Sequence, residues 1–388
     1  MPTVDATDVI VIGAGIAGAS IAAEIAAGSR VVLLEREEQP GYHTTGRSAA
    51  LFTETYGAEV KRALSRASRP FLLQPPPGFA ATPLLSPRGT LLAATTSQLG
   101  KLRQVADECA SLVDNLQWLD GAEVRARVPC FAEEQIAGGL LEPDAMDIDV
   151  HALHAGYLRQ FAARGGTLVN NAEVRALDWR GGAWQVSTSA GAFRAGRIVN
   201  AAGAWADQVG RLAGAKPIGL VPMRRTAITF DPPPGADIGR WPAVIDVDEQ
   251  WYFKPDAGRL LASPADETPS APCDAQPDEY DVALVVDRLG RATTLQVPRI
   301  VARWAGLRSF VEDRLLVVGF DPRVPHFFWL AGQGGHGIQT SPAVSRLAAA
   351  LLDGRPVPAD IADLGIDAAM LAPTRAASFS ASPKSSST

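Results

Sequence analysis

Val9-Ile10-Val11-Ile12-Gly13-Ala14-Gly15-Ile16-Ala17-Gly18, followed by Val31-Val32-Leu33-Leu34-Glu35, is the stretch whose reading decides the fold. An apolar run of strand length meets three glycines at the G-x-G-x-x-G spacing, and a small-residue helix follows over Ala17 to Ala27. A second apolar strand then ends on an acid. Each part has a task in holding a dinucleotide. Gly13 permits the tight turn, Gly15 lets the backbone approach a pyrophosphate, and Gly18 lets helix and strand pack closely. The free N–H groups and positive dipole end of the helix, around Ala14, Ile16 and Ala17, attract the phosphates. Glu35, twenty residues past Gly15, is placed to accept hydrogen bonds from adenosine ribose hydroxyls. Strand, turn, helix and acid in register point to an ADP-containing cofactor.

At 388 residues the chain is long enough for two cores. A net charge of −6 without a basic block argues against a nucleic-acid partner. Cys109, Cys130 and Cys273 are far apart and in no metal-ligand spacing, so no metal is expected, and they read as reduced thiols of a cytoplasmic protein. The apolar start is interrupted by glycines and Glu24 and has no basic segment before it. The expectation is neither signal peptide nor membrane span, with peripheral membrane association left open. Ser378 to Thr388, almost all Ser, Ala, Pro and Lys, reads as a disordered tail.

The pattern along the chain predicts an α/β (α+β) architecture, in which a discontinuous Rossmann-like cofactor domain is threaded by an antiparallel-sheet substrate domain. The cofactor domain is expected over 1–80, 147–220 and 303–373, the substrate domain over 81–146 and 221–302, and the tail over 374–388. Helices are expected at Glu59 to Leu73, Gln98 to Cys109, Gly121 to Arg127, Asp149 to Arg164 (capped by Asp147 or Asp149), Tyr280 to Arg288 and Ser341 to Leu352. Val174 to Leu177, Trp184 to Thr188 and Ala192 to Arg194 read as a small meander, with a separate strand beginning at Arg197. A second glycine-rich turn, Gly332-Gln333-Gly334-Gly335-His336-Gly337, precedes the last helix. A nicotinamide enzyme has no use for such a turn. A flavin enzyme does, because a helix N-terminus there stabilises negative charge on the reduced ring. FAD is therefore the expected cofactor, and with no cysteine near this turn to tether the ring it is expected to be held non-covalently.

Longer words carry a resemblance: Gly41-Tyr42-His43, Thr45-Gly46-Arg47-Ser48-Ala49-Ala50, Val199-Asn200-Ala201-Ala202-Gly203-Ala204-Trp205, Trp304-Ala305-Gly306-Leu307-Arg308-Ser309-Phe310 and Gly337-Ile338-Gln339-Thr340-Ser341. With the N-terminal fingerprint, they make the chain resemble the D-amino acid oxidase-like flavoenzymes from about Asp8 to Pro373. It looks closest to the bacterial D-arginine and D-amino acid dehydrogenase branch. The resemblance implies a six-stranded antiparallel roof over the flavin, and oxidation of a carbon bearing an amine beside a carboxylate. It extends the implied FAD contacts to Arg36, Thr44, Thr45, Gly46, Arg47, Ser48, Ala49, Ala50, Val174, Ala202, Gly203, Trp205, Gly306, Gly334, Gly335, His336, Gly337, Ile338 and Gln339.

A substrate carboxylate needs a cation, and a planar guanidinium binds it bidentately. Arg308 and Arg225 stand at positions where the family carries that role, with Arg224 the expected surface member of its pair. Tyr252, Tyr56 and Gln339 are the further catalytic candidates, Tyr56 lying at the pocket mouth or simply packing its ring. His336, where a close relative has a tyrosine, is a candidate for flavin or substrate contact. The implied pocket also contains Leu51, Thr53, Thr90, Ala243 and Ile245. Thr90 stands where the branch selective for cationic substrates carries a glutamate, and Leu51 where it carries a histidine. A cationic side chain would lack its charge partner, so neutral or apolar D-amino acids are expected. Such an enzyme yields a 2-oxo acid and ammonia, with oxygen or a quinone as electron acceptor. Oxidation of a secondary amine or 2-hydroxy acid (sarcosine, D-proline, 2-hydroxyglutarate), or a flavin-binding electron-transfer subunit, remain the alternatives.

Overall fold

Thr7–Ile12 is an interior strand of an eight-stranded sheet, paired in parallel with Val31–Leu34 on one side and Gly191–Asn200 on the other. The computed structural model describes residues 7–375. Thr167–Val169 adds in parallel beyond Val31–Leu34, and Phe327–Ala331 beyond Gly191–Asn200. Val9 to Ile12 are all buried, as parallel strands covered on both faces require. Val9, Val11 and Leu33 face helices Ile16–Ile25, Val150–Ala163 and Gly337–Leu352, while Ile10, Ile12 and Val32 pack with Trp184, Phe193 and Trp329 on the other side. Each such aliphatic side chain contributes about 1.5–3 kcal/mol of transfer free energy. Asp149 caps Val150–Ala163, accepting from the Ala152 N–H at 2.8 Å, which decides between the two cap candidates.

The meander is Val174–Arg180, Ala183–Thr188 and Gly191–Asn200. Its last member is one strand rather than the two read from sequence. It changes partners midway, running antiparallel to Ala183–Thr188 up to Ala195 and parallel to Phe327–Ala331 from Ile198. The residue pattern therefore shifts at Ala195-Gly196 although the backbone does not break.

The second sheet has nine strands instead of six, and it is mixed. Ala243–Asp246 lies parallel to Thr90–Ala94, because these strands come from widely separated segments and need no hairpin. Ile300–Phe310 runs antiparallel along the whole of Val221–Phe230. A domain boundary at 302/303 therefore falls inside a strand. Exposed Ala302 and Arg303 hide its start from any alternation pattern. Leu51–Phe52, Leu85–Pro87 and Met146–Ile148 form a three-stranded sheet. Of the expected tail, residues 376–388 lie outside the described residues. Among the described residues, no helix is long and apolar enough to cross a membrane, and no group of acids, histidines and cysteines suits a metal ion.

Candidate active site

Backbone contact makes the cofactor trench. Gly13 has φ +98°, and a Cβ there would lie 2.6 Å from the Ala201 carbonyl oxygen. A Cβ on Gly18 would overlap the Gly13 carbonyl oxygen. This packing leaves Gly15, Ile16 and Ala17 on the wall of a cavity. A second cavity shares Gly15, Thr44, Thr45, Ala201, Gly203 and Ala204 with the first, so the two form one elongated trench. At its far end lie Glu35, Val174 and Ala202, with Arg36 stacked 4.8 Å over the Trp205 ring. Glu35 does more than line the wall: its carboxylate accepts from the Ala14 N–H at 2.9 Å and the Glu37 N–H at 3.0 Å.

The segment after Glu35 closes the trench. The Ile16 N–H donates to Thr45 Oγ1 at 3.0 Å, and Thr44 Oγ1 donates to the Leu307 carbonyl at 2.8 Å. Gly46 serves the turn itself, its N–H bonded to the Gly41 carbonyl. Arg47 lines the cavity, but its guanidinium bonds the Ala275 and Ala305 carbonyls and pairs with Asp274. It is a clamp between loop and roof. Ser48, Ala49 and Ala50 continue the wall toward Leu51 and Thr53, and Gly306, Gly334, Gly335, Gly337 and Ile338 face them from the other side.

The substrate end is built by Arg308, Arg225, Tyr252, Tyr56, Ile245, Gln339 and His336, all lining the first cavity. Arg308 has no hydrogen-bonding or acidic partner among the described residues, and its guanidinium packs against Gly335, where a Cβ would approach to 3.0 Å. Arg225 is anchored: it donates to the Asp266 carbonyl at 2.7 Å and pairs with Glu267 at 3.2 Å. Burial, then repulsion from Arg308, lowers its pKa. Arg224 points elsewhere. It is half-buried, pairing with Asp281 at 2.8 Å, and is a structural residue rather than a surface one. Gln339 has both ends of its amide engaged, accepting from the Thr53 N–H at 3.2 Å and donating to Ser65 at 2.8 Å, so it positions the Thr53 wall.

The Tyr56 ring stacks on His336 (centroids 5.1 Å apart, 11° between planes), and its hydroxyl bonds Glu249 at 3.2 Å. Burial raises the Tyr56 pKa. His336 is buried at the cap position of Gly337–Leu352, and neither ring nitrogen has a hydrogen-bond partner among the described residues. Burial, then the charges of Lys61 and Arg308, push its pKa down to about 3, so the ring is neutral.

Thr90 and Ala243 do not line the cavity. They face one another across adjacent strands of the second sheet, both buried, and Thr90 also stands opposite Glu142. Glu142 in turn accepts from Thr53 Oγ1, Thr55 Oγ1 and the Glu54 N–H. Family position was a guide to the strand but not to what covers its side chain. Thr90→Glu should therefore not create a cationic subsite. It sets a second buried carboxylate opposite Glu142 and should lower stability by about 1–3 kcal/mol or more, read as a fall in Tm. An unchanged Tm with gained D-arginine oxidation would contradict this placement. Glu249, missed in the sequence, is among the described residues the one acid on the wall of the first cavity. It sits in the turn between Ala243–Asp246 and Tyr252–Asp256 with φ +55°, where no periodicity marks it.

The residues present fit FAD. The trench is cradled by glycines that a Cβ would fill, two helix N-termini open onto it, and the buried Gln333 amide nitrogen and His336 nitrogens lack partners among the described residues. The family profile described as FAD dependent oxidoreductase (DAO) matches residues 8–351. Glycine oxidase from Geobacillus kaustophilus is 25% identical over 379 residues, covering 92% of this chain and 96% of that enzyme. Its crystal structure superposes with a TM-score of 0.80 at 24% identity, covering 92% and 98% of the two chains. L-Proline dehydrogenase from P. horikoshii superposes at 0.82 with 20% identity, covering 98% and 99%. L-2-Hydroxyglutarate dehydrogenase from Escherichia coli (strain K12) is 25% identical over 222 residues, 54% of this chain and 50% of that one. Trench, glycine cradle and family profile agree: the chain belongs to the FAD-dependent oxidoreductases of the DAO family.

Proposed function

We propose that this enzyme oxidises D-amino acids with small or apolar side chains, giving 2-imino acids that hydrolyse to 2-oxo acids and ammonia. The observation that carries the reading is Arg308, a guanidinium without an acid partner among the described residues, aimed into the cavity beside Gly335. A carboxylate bound to it bidentately, with Arg225 as second cation and Tyr252 beside them, fixes the orientation of Cα. FAD, when bound, supplies the hydride acceptor. Leu51, Ala227 and Ile245 give the cavity an apolar wall. Glu249 is solvent-exposed and already meets Tyr56, which makes it a poor partner for a desolvated cationic side chain.

Anaerobic bleaching of the flavin by D-alanine and D-valine, ahead of their L-enantiomers and of D-arginine, is the expected result. Bleaching by 2-hydroxyglutarate, sarcosine or D-proline alone would replace this reading with hydroxy-acid or secondary-amine oxidation. Among the described residues, no cysteine lines either cavity, and His43, the nearest alternative tether, bonds Glu37 at 2.9 Å. Denatured protein should accordingly release intact FAD into the supernatant. Flavin remaining with the precipitate would show a covalent link.

A further inference from the structure

Ala14, at the centre of the N-terminal glycine turn, is tied from two sides. Its N–H donates to Glu35, and the Ile16 N–H beyond it donates to Thr45 Oγ1. The Gly15 N–H between them has no hydrogen-bond partner among the described residues, although Gly15 lines both cavities. Behind the turn stands His154, buried in helix Val150–Ala163 and lining neither cavity. Its Nε2 lies 2.8 Å from the Ala14 carbonyl oxygen. A carbonyl only accepts, so Nε2 carries the proton and donates it. The same ring fills the space that a side chain on Gly41 would need, where a Cβ would lie 3.0 Å from Cε1. Gly41 has φ +78°, and its carbonyl receives the Gly46 N–H. One histidine thus reaches both the phosphate turn and the segment that closes over it.

We propose that His154 is a positioning residue for the cofactor's diphosphate: by holding the Ala14 carbonyl, it keeps the Gly15 N–H turned into the trench. A trans peptide is planar, and its C=O and N–H point opposite ways. The Ala14 carbonyl points back at His154, so the Gly15 N–H of the same peptide points away from the histidine, toward the cavity side. The residue types alone do not fix that orientation. Rotating the Ala14–Gly15 plane changes φ of Gly15, and glycine accepts either sign of φ at little steric cost. With the Ala14 and Ile16 donors already engaged, the donor left for a phosphate oxygen sits on the peptide that turns most easily. That peptide is the one the histidine grips. A neutral ring suits the task. Burial lowers the His154 pKa against the opposing effect of the Ala14 carbonyl, and an imidazole with its proton on Nε2 makes this bond without carrying a charge. The role concerns the cofactor and is independent of which substrate the enzyme oxidises.

The experiment compares wild type, His154→Leu and His154→Gln as FAD-loaded enzymes, following flavin release on dilution and the phosphorus NMR spectrum of the bound diphosphate. Leucine fills the space but cannot donate, whereas a glutamine amide nitrogen can take the place of Nε2. His154→Leu should release FAD about ten- to a hundredfold faster, the loss expected for one hydrogen bond to a charged group, and at least one diphosphate resonance should move. His154→Gln should keep the wild-type resonances and release FAD within about threefold of the wild-type rate. A histidine that only fills the core would lower Tm when replaced and leave the resonances where they are. Nitrogen NMR of the wild-type ring should find its proton on Nε2. Wild-type release from a folded His154→Leu enzyme, unmoved diphosphate resonances, or a neutral ring with its proton on Nδ1 would each overturn the proposal. Should His154→Leu yield no flavoprotein, the ring tautomer and His154→Gln decide: wild-type resonances in the glutamine enzyme support the role, and release more than about tenfold faster overturns it.

Discussion

Arg308→Met should retain FAD and lose about 2–5 kcal/mol of substrate recognition, roughly thirty- to several-thousandfold in kcat/KM. The size follows from its having no acid partner: nothing else in the cavity is placed to neutralise the substrate carboxylate so directly. Arg225→Met should cost less, because Glu267 already offsets that charge and would still pair with Arg314 at 2.7 Å. Arg224→Met should leave kcat/KM alone and lower Tm, since it strands the buried Asp281 carboxylate. Titrating each variant with substrate while following flavin reduction separates the three. Near-normal saturation by Arg308→Met would remove it from the site.

Gly18→Ala should be as severe for the cofactor as Arg308→Met is for the substrate. The added methyl would occupy the position of the Gly13 carbonyl oxygen, which is backbone and cannot swing aside. Helix Ile16–Ile25 would have to lift from Thr7–Ile12, opening the core and displacing the N–H groups that face the trench. A loss above about 4 kcal/mol is expected, seen as flavin-free or insoluble protein. By contrast, Gly28→Ala should be benign, since a Cβ there meets nothing within 4 Å. The ratio of flavin to protein absorbance and the thermal midpoint of both variants check this. A folded, flavin-replete Gly18→Ala protein would disprove the close contact.

The cofactor half was readable because each of its constraints falls on a residue type: glycine where backbones touch, an acid at the end of a strand, small side chains in the helix between. The long strand Ile300–Phe310 was less readable. Its outer half is half-buried at Ile300, Val301 and Trp304 and exposed at Ala302 and Arg303, so it carries no alternation before Ala305. Arg308 and Arg225 could be singled out in the sequence by their words, but the difference between them could not, because it lies in Glu267, a residue from a loop. Lys61 gave no signal at all. A lysine within a run of basic residues on an amphipathic helix reads as a solvated face, and only the packing of Phe310 and the glycine-rich turn buries it. Thr90 failed for the opposite reason, since a position in a family motif says nothing about depth.

The strand Ile300–Phe310 also bears on how such an enzyme can change its diet. Trp304 Nε1 donates to the Arg47 carbonyl, Arg47 to the Ala305 carbonyl, Thr44 to the Leu307 carbonyl, and the Gly334 N–H to the Ser309 carbonyl. Between Trp304 and Ser309 these fastenings tie one strand to both the loop and the turn that face the flavin. A slip of a single residue would turn Arg308 to the opposite face and break the fastenings together. Insertions and deletions are thus barred from this wall. Leu51 and Ile245 meet the cavity with apolar side chains that make no hydrogen bond, so new substrates can be admitted there one side chain at a time, with the carboxylate end held constant.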